Sequence, residues 1–511
     1  MTTLIKNILL VDGSGQPAVK ADVLIKNEKI AAIGSFPRYQ ADTIIDGIGA
    51  YLAPGFIDIN TSSDRYLTIF SNPGQRHFLE QGITTIIGGQ DGISLAPLLY
   101  GSLDLQAFWT DPYRINIDWH TVKEFFDVLR RKTMGVNFGT LVGHSTVRHT
   151  IIGNDFRDLT AKELGVFQYM LEQALQDGAF GISFDLQSPV AALTPAKEIR
   201  SLLEIVEKHK GLAAFKIRNG SDTSVQGDEV REQFVPAVAE VINLSRETGA
   251  RVQLNNFAPL KGLESEYREE IEAIEEAAAT ADTYFTVRPF ERSVIPIVSF
   301  LPVRARRGSM QEILQGLASK EIAVNIIPEL AHISGADAII YDAPEFAYLC
   351  GKTLQEFAND RELAVPDALL ELMRMTKLRA TLVYPNLSMN EFGRALASDR
   401  SLVASGGASF AEGNGAARSP RLYLDAVPTL LKRVHEEKEI SIETAVRKLT
   451  SIPAQRLGLK NRGFIREGYI ADLVLFRDAT IETVFVNGVQ AVRDGVATGQ
   501  MNGAVLIHGH D

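Results

Sequence analysis

Residues 160–183 read TAKELGVFQYMLEQALQDGAFGIS, in which a helical segment leads into a short apolar run. Within residues 160–176 the apolar side chains recur every three or four positions, a spacing typical of an amphipathic helix. Residues 178–183, GAFGIS, form a short and largely apolar run, as expected of a buried strand. A helix followed directly by a buried strand indicates an α/β fold with parallel strands.

The same alternation extends outward through the middle of the chain. Further short apolar or β-branched runs occupy residues 84–87, 137–142, 211–217, 251–254, 283–287, 323–327 and 402–404. Together with residues 178–183 they make eight runs, separated by amphipathic segments such as 195–208. Eight parallel strands with crossover helices favour closure into a TIM-like (β/α)8 barrel. Chemistry in such a barrel takes place at the carboxyl ends of the strands.

Both ends of the chain show a different pattern, in which apolar and polar residues alternate over short stretches. These stretches are residues 4–10, 23–33, 471–476, 481–486 and 489–492. Between the last two stands Asn487-Gly488, a strong signal for a tight hairpin turn. The pattern predicts one small β-sandwich domain built from residues 1–57 and 463–511.

The barrel is then expected to occupy residues 58–462. From about residue 290 to 385 the rhythm of strands and helices is less regular. We therefore predict an insertion near residues 290–385, placed over the mouth of the barrel.

The composition is that of a soluble protein with a large core: 511 residues, 45% hydrophobic and 23% charged. A balance of 52 basic against 63 acidic side chains gives a net charge of −11, which disfavours nucleic acid as a partner. The single cysteine, Cys350, excludes an internal disulfide and has no evident base beside it. The first residues lack the pattern of a signal peptide, and no apolar run is long enough to span a bilayer. We expect a cytoplasmic protein without a membrane segment.

Four motifs occur in the order in which they appear in a known family. They are APGFID at residues 53–58, LVGHSTVR at 141–148, GAFGIS at 178–183 and RGFIREGYIADLV at 462–474. In sequence and spacing they resemble the N-acyl-D-amino-acid deacylases, or D-aminoacylases, of the amidohydrolase superfamily. The resemblance implies an amidohydrolase-type barrel with a β-domain. It also implies hydrolysis of an amide by a zinc-polarised water, with a carboxylate that transfers the proton.

At the metal-binding and catalytic positions of that family this chain has Asn60, Ser62, Asp91, Lys216, Asn256 and Gly406. The family has, in order, two histidines of a His-x-His motif, a cysteine, two further histidines and an aspartate. Zinc requires nitrogen, sulfur or carboxylate donors, and only Asp91 supplies one. Gly406 has no side chain with which to transfer a proton. The resemblance therefore implies that this chain has no bound metal, no other cofactor and no catalytic residue at these positions.

The replaced residues suggest a different use for the site. In the family, the cysteine and the histidine at the positions of Asp91 and Lys216 bind the same metal ion. We therefore hypothesise that the Lys216 ammonium replaces the charge of the metal and pairs with Asp91 and with Asp185. Arg218, and Arg421 in a motif similar to the family's His-Pro-Arg, are candidates for holding a carboxylate, since guanidinium binds it through two parallel hydrogen bonds. These residues predict a site for a small anion.

Other residues that could suggest chemistry receive simpler interpretations. Asp58 is expected to hydrogen-bond loop amides, and His144 to be a satisfied core residue. Residues 304–307, RARR, are expected to form a solvated turn, with an anion site over the barrel mouth as the alternative. His508 and His510 are expected to lie in a solvated tail rather than to bind a metal.

Three functions remain open from the sequence. The leading one is a catalytically inactive relative, or pseudoenzyme, that binds a small carboxylate ligand or a partner protein. The second is a metal-free enzyme that uses Asp91, Lys216 and Asp185 as acid and base. The third is a zinc-dependent hydrolase acting on C–N bonds other than peptide bonds, with a remodelled site. Assembly into a homo-oligomer is left open.

Overall fold

A computed structural model describes residues 2–99, 103–155, 157–188, 191, 193–218, 228–306, 310–330, 335–410 and 425–510. The strands are β1 Thr2–Leu10, β2 Val19–Lys26, β3 Lys29–Gly34, β4 Thr43–Asp46, β5 Tyr51–Pro54, β6 Phe56–Asp58, β7 Ile83–Gly88, β8 Asn137–Thr140, β9 Val142–Gly143, β10 Gly181–Asp185, β11 Leu212–Lys216, β12 Arg251–Leu254, β13 Thr283–Val287, β14 Ser293–Pro296, β15 Ile339–Asp342, β16 Thr381–Tyr384, β17 Ser401–Val403, β18 Leu473–Arg477, β19 Thr480–Val486, β20 Val489–Arg493 and β21 Val496–Ala497.

The α-helices are Thr68–Ser71, Arg76–Leu79, Val122–Lys132, His144–Ile152, Ala161–Gln176, Ala196–Lys208, Asp228–Thr248, Glu264–Glu276, Met310–Ala318, Lys320–Leu330, Leu354–Asp360, Val365–Met375, Phe392–Ala397, Ala426–Glu437, Ile442–Leu449 and Ser451–Leu457. Short 3-10 helices are Asp104–Phe108, Pro112–Arg114, Ala277–Ala279, Ile297–Phe300, Val303–Arg306, Gly335–Asp337, Ala347–Leu349 and Met389–Glu391. Among these helices of the described residues, none combines the length and the apolar character needed to cross a bilayer.

The helix Ala161–Gln176 shows how local sequence builds the barrel wall. Thr160 accepts a hydrogen bond from the backbone amide of Glu163, whose carboxylate accepts one from the Thr160 amide in return. This capping box satisfies two of the amides that a helix start leaves without partners. The helix buries Phe167 and Leu171 against the core and is followed by β10, as the opening stretch of sequence predicts.

The two chain ends meet in one β-sheet. Its strands follow the order β21-β20-β19-β18-β5-β1-β2-β3, and β4 pairs with β1. The junction is the antiparallel pairing of β18 with β5, in which Leu473 lies opposite Pro54. The turn between β19 and β20 has positive φ at both Asn487 (49°) and Gly488 (77°), the conformation that a two-residue hairpin of this kind requires.

The middle of the chain forms the predicted barrel. Its parallel strands follow the orders β6-β7-β8 and β9-β10-β11-β12-β13-β17. Leu141 alone separates β8 from β9, so these two segments together form one interrupted barrel strand. The first and last barrel strands, β6 and β17, are joined just beyond their carboxyl ends: the amide of Gly406 donates to the Asn60 carbonyl (3.0 Å) and the amide of Ser62 donates to the Gly407 carbonyl (2.7 Å). Eight strands thus close the barrel, and the prediction of a (β/α)8 fold with a β-domain is confirmed.

One of the eight predicted strands is wrong. Residues 323–327 lie within the helix Lys320–Leu330, where Ile326 and Leu330 are buried on one face at helical spacing. A short apolar run does not by itself distinguish a buried strand from a buried helix. The eighth barrel strand is instead β6, whose three residues are too few to stand out as an apolar run but lie in the APGFID motif, which resembles the first barrel strand of the deacylases.

The segment in which the sequence predicts an insertion folds around a core of its own. Strands β14, β16 and β15 form a small antiparallel sheet. The sheet packs with helices around a hydrophobic cluster that includes Ile295, Ile340, Leu354, Leu372 and Leu382. This cluster is separate from the one that fills the barrel, so the insertion is a distinct structural layer.

Candidate functional site at the barrel mouth

The six positions singled out by the sequence all lie at the carboxyl ends of barrel strands. Asn60 and Ser62 follow β6, Asp91 follows β7, Lys216 ends β11, Asn256 follows β12 and Gly406 follows β17. Because the strands are parallel, these ends form one rim, which is where barrels of this type carry their functional groups.

Four of the six positions are joined in two pairs by hydrogen bonds between neutral groups. The Asn60 side-chain amide donates to Asn256 Oδ1 over 3.1 Å, and the Ser62 hydroxyl donates to the Gly406 carbonyl over 3.2 Å. Gly406 has φ +69°, and a Cβ placed there would lie 3.5 Å from Asn256 Oδ1. These four residues therefore contribute amide, hydroxyl and backbone groups, and none of them carries a formal charge.

Asp91 forms a buried ion pair with a residue that the sequence analysis missed. Arg65 Nη2 lies 3.0 Å from Asp91 Oδ2, and the two side chains are only 12% and 9% exposed. Arg65 also donates to the Gln90 carbonyl (2.9 Å) and stacks on Trp109, with its Cζ 5.2 Å from the ring centroid. The hypothesis that assigned Asp91 to Lys216 overlooked this guanidinium, because nothing in the local pattern of residues 60–66 marks Arg65 as buried.

Asp185 and Lys216 are brought together by strand register. They are direct partners in the parallel pairing of β10 with β11, at the ends of both strands. Burial raises the pKa of Asp185, the Lys216 charge opposes that rise, and the Asp91 charge adds to it. The Asp185 carboxylate also accepts a hydrogen bond from the Gln187 amide (3.0 Å). Asp91, Asp185 and Lys216 thus belong to one charge cluster, which also includes Arg65.

The insertion contributes a further cation to this cluster. Arg306 ends the 3-10 helix Val303–Arg306, and its charge interacts with that of Asp185. Burial lowers the pKa of Arg306, an effect that Asp185 opposes. Arg304 agrees with the expectation of a solvated turn, because it is 59% exposed and pairs with Glu329. Arg306 is only partly exposed, and its Nε is buried. Residue 307 lies outside the described residues.

Arg288 is a second cation of the rim that the sequence analysis missed. It follows β13 directly and is only 8% exposed. A Cβ built on Gly406 would lie 3.4 Å from its Nη1. A guanidinium therefore borders the position where the resembling family has its catalytic aspartate.

Of the two arginines that the sequence suggests for binding a carboxylate, the structure describes only Arg218. Arg218 is tied into the barrel wall, with Nε donating to Glu240 Oε2 (3.0 Å) and Nη2 donating to the Thr194 carbonyl (2.6 Å). These bonds direct the guanidinium towards a helix and a loop. Arg421 lies outside the described residues.

The simpler interpretations can also be compared with the structure. Asp58 accepts hydrogen bonds from the amides of Asn60 (3.1 Å) and Ser405 (3.0 Å), and burial raises its pKa to about 6. His144 is buried with Nε2 2.9 Å from Glu198 Oε1, which agrees with a core role. The expectation of a solvated tail is wrong for His508, which packs edge-on against Phe180.

The side chains of the described residues at the mouth do not fit a zinc ion. Across the described part of the chain, His, Cys, Asp and Glu side chains nowhere gather in a group of three or more that could hold a metal. Structural and catalytic zinc sites use at least three such protein ligands. At the rim itself the carboxylate of Asp91 is already bound by a guanidinium, and the charge of Asp185 interacts with that of Lys216.

Comparisons with known proteins agree with this architecture. The model of the amidohydrolase family matches residues 416–496. An N-acyl-D-aspartate deacylase of Alcaligenes xylosoxydans xylosoxydans is 29% identical, over 99% of this chain and 95% of its own length. A D-aminoacylase of the same organism is 28% identical, over 97% of this chain and 96% of its own length.

Solved structures show the same similarity in three dimensions. A D-aminoacylase crystal structure superposes with a TM-score of 0.79 and 26% identity, over 99% of both chains. An N-acyl-D-glutamate deacylase from Bordetella bronchiseptica, solved with zinc and a phosphonate inhibitor, also gives a TM-score of 0.79 over 99% of both chains. At 24% identity this second structure is evidence for the fold alone.

Proposed function

The chain carries an amidohydrolase domain and is homologous to N-acyl-D-amino-acid deacylases over nearly its whole length, and we propose that this protein binds a small carboxylate at its barrel mouth without zinc-dependent hydrolysis. It is a pseudoenzyme of the deacylase fold. The observation that carries the proposal is the buried ion pair between Arg65 and Asp91. The only carboxylate at a family metal position is neutralised by a side chain of the same protein.

Positive charge alone does not replace the chemistry of a metal. A zinc ion accepts an electron pair from water and lowers the pKa of that water to near neutrality. An ammonium such as that of Lys216, or a guanidinium such as that of Arg65, attracts an anion but cannot coordinate water in this way. Gly406 offers no side chain for proton transfer, and its neighbour Arg288 is permanently protonated. The rim supports binding of an anion better than its cleavage.

The charges at the rim favour a carboxylate as the ligand. Four cationic side chains, those of Arg65, Lys216, Arg288 and Arg306, stand at the mouth beside the carboxylates of Asp91 and Asp185. Buried cations are costly unless anions neutralise them. Guanidinium groups match the two oxygens of a carboxylate with two parallel hydrogen bonds.

Metal content and turnover of the purified protein test the proposal. We expect zinc far below one ion per chain, by elemental analysis, after dialysis against zinc and then buffer. We expect no hydrolysis of N-acetyl-D-aspartate, N-acetyl-D-glutamate or N-acetyl-D-leucine with zinc added, and saturable heat of binding for at least one of them by calorimetry. Stoichiometric zinc together with hydrolysis would overturn the proposal.

The second candidate is a hydrolase acting on C–N bonds other than peptide bonds, with zinc held in a remodelled site. What favours it is the full-length similarity to proteins named as deacylases. Hydrolysis abolished by a chelator and restored by zinc would support it. Turnover that survives the chelator and is lost in Lys216→Met would instead indicate metal-free acid–base chemistry by Lys216 and Asp185.

A further inference from the structure

Residues 503–510, which we call the floor segment, run along the end of the barrel that lies opposite the mouth. Val505 forms a parallel bridge with Phe138, the second residue of β8. The Leu506 amide donates to the Phe138 carbonyl (2.8 Å), and the Phe138 amide donates to the Ala504 carbonyl (2.8 Å). The floor segment is therefore bonded to the amino-terminal half of β8 as an added strand would be.

The floor segment lies at a seam of the barrel wall, where β8 belongs to one parallel sheet and β9 and β10 belong to the other. Near the carboxyl end of β8 the two sides are joined directly, because the Phe180 amide donates to the Thr140 carbonyl (2.9 Å). Near the amino-terminal end the floor segment makes the connection instead. Its His508 amide donates to the Gly178 carbonyl (3.0 Å), on the β10 side of the seam. One short segment thus holds both sides of the seam.

The floor segment also fits closely against the barrel. Leu506 is fully buried in a hydrophobic cluster with side chains of β6, β7 and β11. A Cβ placed on Gly503 would overlap the Val136 carbonyl oxygen, and one placed on Gly178 would overlap the Ile507 side chain. Apolar packing and backbone hydrogen bonds therefore act together to hold the segment.

In the floor segment, His508 is the ionisable side chain that this packing covers. Its ring lies edge-on to Phe180, with the ring centroids 5.5 Å apart, and a Cβ placed on Gly458 would lie only 3.6 Å from His508 Nε2. A neutral imidazole fits this apolar contact. An imidazolium would lose part of its hydration there, which is costly for a charged group.

The charges around His508 do not favour its protonation. Burial lowers the pKa of this ring, and the charges of Arg251, His209 and Lys460 lower it further. A hydrogen bond to the Lys210 backbone opposes this effect. The neutral ring is therefore the form that suits the docked segment.

The described carboxylates of this region already have partners. Glu172 Oε1 lies 3.6 Å from His209 Nε2, Asp282 Oδ2 lies 3.9 Å from Arg251 Nε, Glu207 pairs with Lys210, and Asp177 accepts a hydrogen bond from the Lys123 amide (3.1 Å). Protonation of His508 therefore adds a positive charge to a place where these carboxylates are engaged by a base or an amide.

We infer that the floor segment is a strap that closes the seam of the barrel, and that protonation of His508 loosens this strap. The inference concerns the end of the barrel opposite the mouth and does not depend on the proposed function. A released His508 is hydrated and takes up a proton at its ordinary pKa near 6.5, whereas the docked ring resists protonation.

Acid therefore favours the released state. Above pH 6.5 the ring is neutral in both states, and the docked strap has its full stability. As the pH falls below 6.5, protons bind preferentially to the released state, so the ratio of docked to released strap falls by up to about tenfold per pH unit. The fall ends where the docked ring itself becomes protonated.

Hydrogen–deuterium exchange of the intact protein tests the inference, measured by mass spectrometry on peptides that cover residues 503–510. The protection of the Leu506 and His508 amides is the chemical exchange rate at each pH divided by the measured rate. We expect this protection to fall by about 3- to 10-fold between about pH 7.5 and 5.5. A peptide that covers β13 is the reference for opening of the whole barrel and keeps its protection.

Two substitutions of His508 identify the titrating group. His508→Gln and His508→Phe both remove the charge, and the second serves if the first weakens docking, because its ring packs against Phe180. In both variants we expect the protection of the Leu506 amide to be the same at the two pH values. The controls are His510→Gln, at an exposed position of the same segment, and His209→Gln, at the neighbouring imidazole. Both controls keep the pH response of the wild type.

Equal protection of the wild type at both pH values would overturn the inference, because the strap would not respond to protonation. If His508→Phe loses as much protection as the wild type, another group titrates and the assignment of His508 is wrong. Little protection of the two amides at about pH 7.5, or an equal loss in β13, would show that the segment is not a strap that opens by itself.

Discussion

Replacing Arg65 by methionine should destabilise the folded protein strongly, because it leaves a buried carboxylate without its cation. Asp91 is 9% exposed, and its remaining described hydrogen bond comes from the Asn255 side-chain amide at 3.4 Å. Breaking a buried ion pair by removing one partner costs about 3–5 kcal/mol. The lost stacking of Arg65 on Trp109 adds about 0.5–2 kcal/mol. We expect the free energy of unfolding to fall by about 3.5–7 kcal/mol.

Urea unfolding measures this effect, and two further variants make it specific. In the double variant Arg65→Met with Asp91→Asn, the uncompensated charge is gone, and we expect more than half of the lost stability to return. The control is Arg157→Met, which breaks the solvent-screened pair with Glu163 and should leave the urea midpoint close to that of the wild type. Tryptophan emission gives a local readout, because Trp109 loses its cation while buried Trp119 does not.

One outcome would contradict the assignment of Arg65 as the partner of Asp91. If Arg65→Met unfolds at the same urea concentration as the wild type while Lys216→Met is strongly destabilised, the Asp91 charge is held by Lys216. The original hypothesis from the sequence would then be correct, and the ion pair with Arg65 would not be the feature that neutralises the site.

Three further predictions concern other parts of the structure. The pKa of Asp58 rises from 3.8 to about 6 on folding, so ionisation of Asp58 lowers the stability of the folded protein by up to about 3 kcal/mol as the pH rises from 4 to 7. In thermal unfolding, Asp58→Asn should therefore show a weaker dependence of stability on pH than the wild type, and an unchanged dependence would contradict this. Gly406→Asp should not produce hydrolysis of N-acyl-D-amino acids with zinc added, because the metal donors are still missing and the new carboxylate would face Arg288; any zinc-dependent turnover would contradict it. Gly488→Ala places a Cβ 1.9 Å from a backbone oxygen at φ +77° and should destabilise the β-domain by well over about 1 kcal/mol. Gly499→Ala, also at positive φ but in open space, should cost only about 1 kcal/mol, so equal melting temperatures for the two variants would contradict this prediction.

The order of the architecture and the residue types at the rim positions could be read from the amino-acid sequence alone. Period-2 alternation at both ends and the helix–strand rhythm between them are local patterns, and local patterns are imposed by which face of each element is buried. The absence of a side chain at Gly406 and the amide of Asn60 likewise do not depend on how the chain folds. These features could be predicted residue by residue.

The pairing of the charged side chains, in contrast, depends on the three-dimensional fold. Arg65 and Asp91 come from different strand–helix connections, and Arg306 interacts with Asp185 across more than a hundred residues of intervening chain. No periodicity encodes such a pairing, because it depends on the register of neighbouring strands and on where an inserted layer packs. The prediction of a strand at residues 323–327 is wrong for a related reason. Burial against the core of the insertion, and not local propensity, selects the helix there.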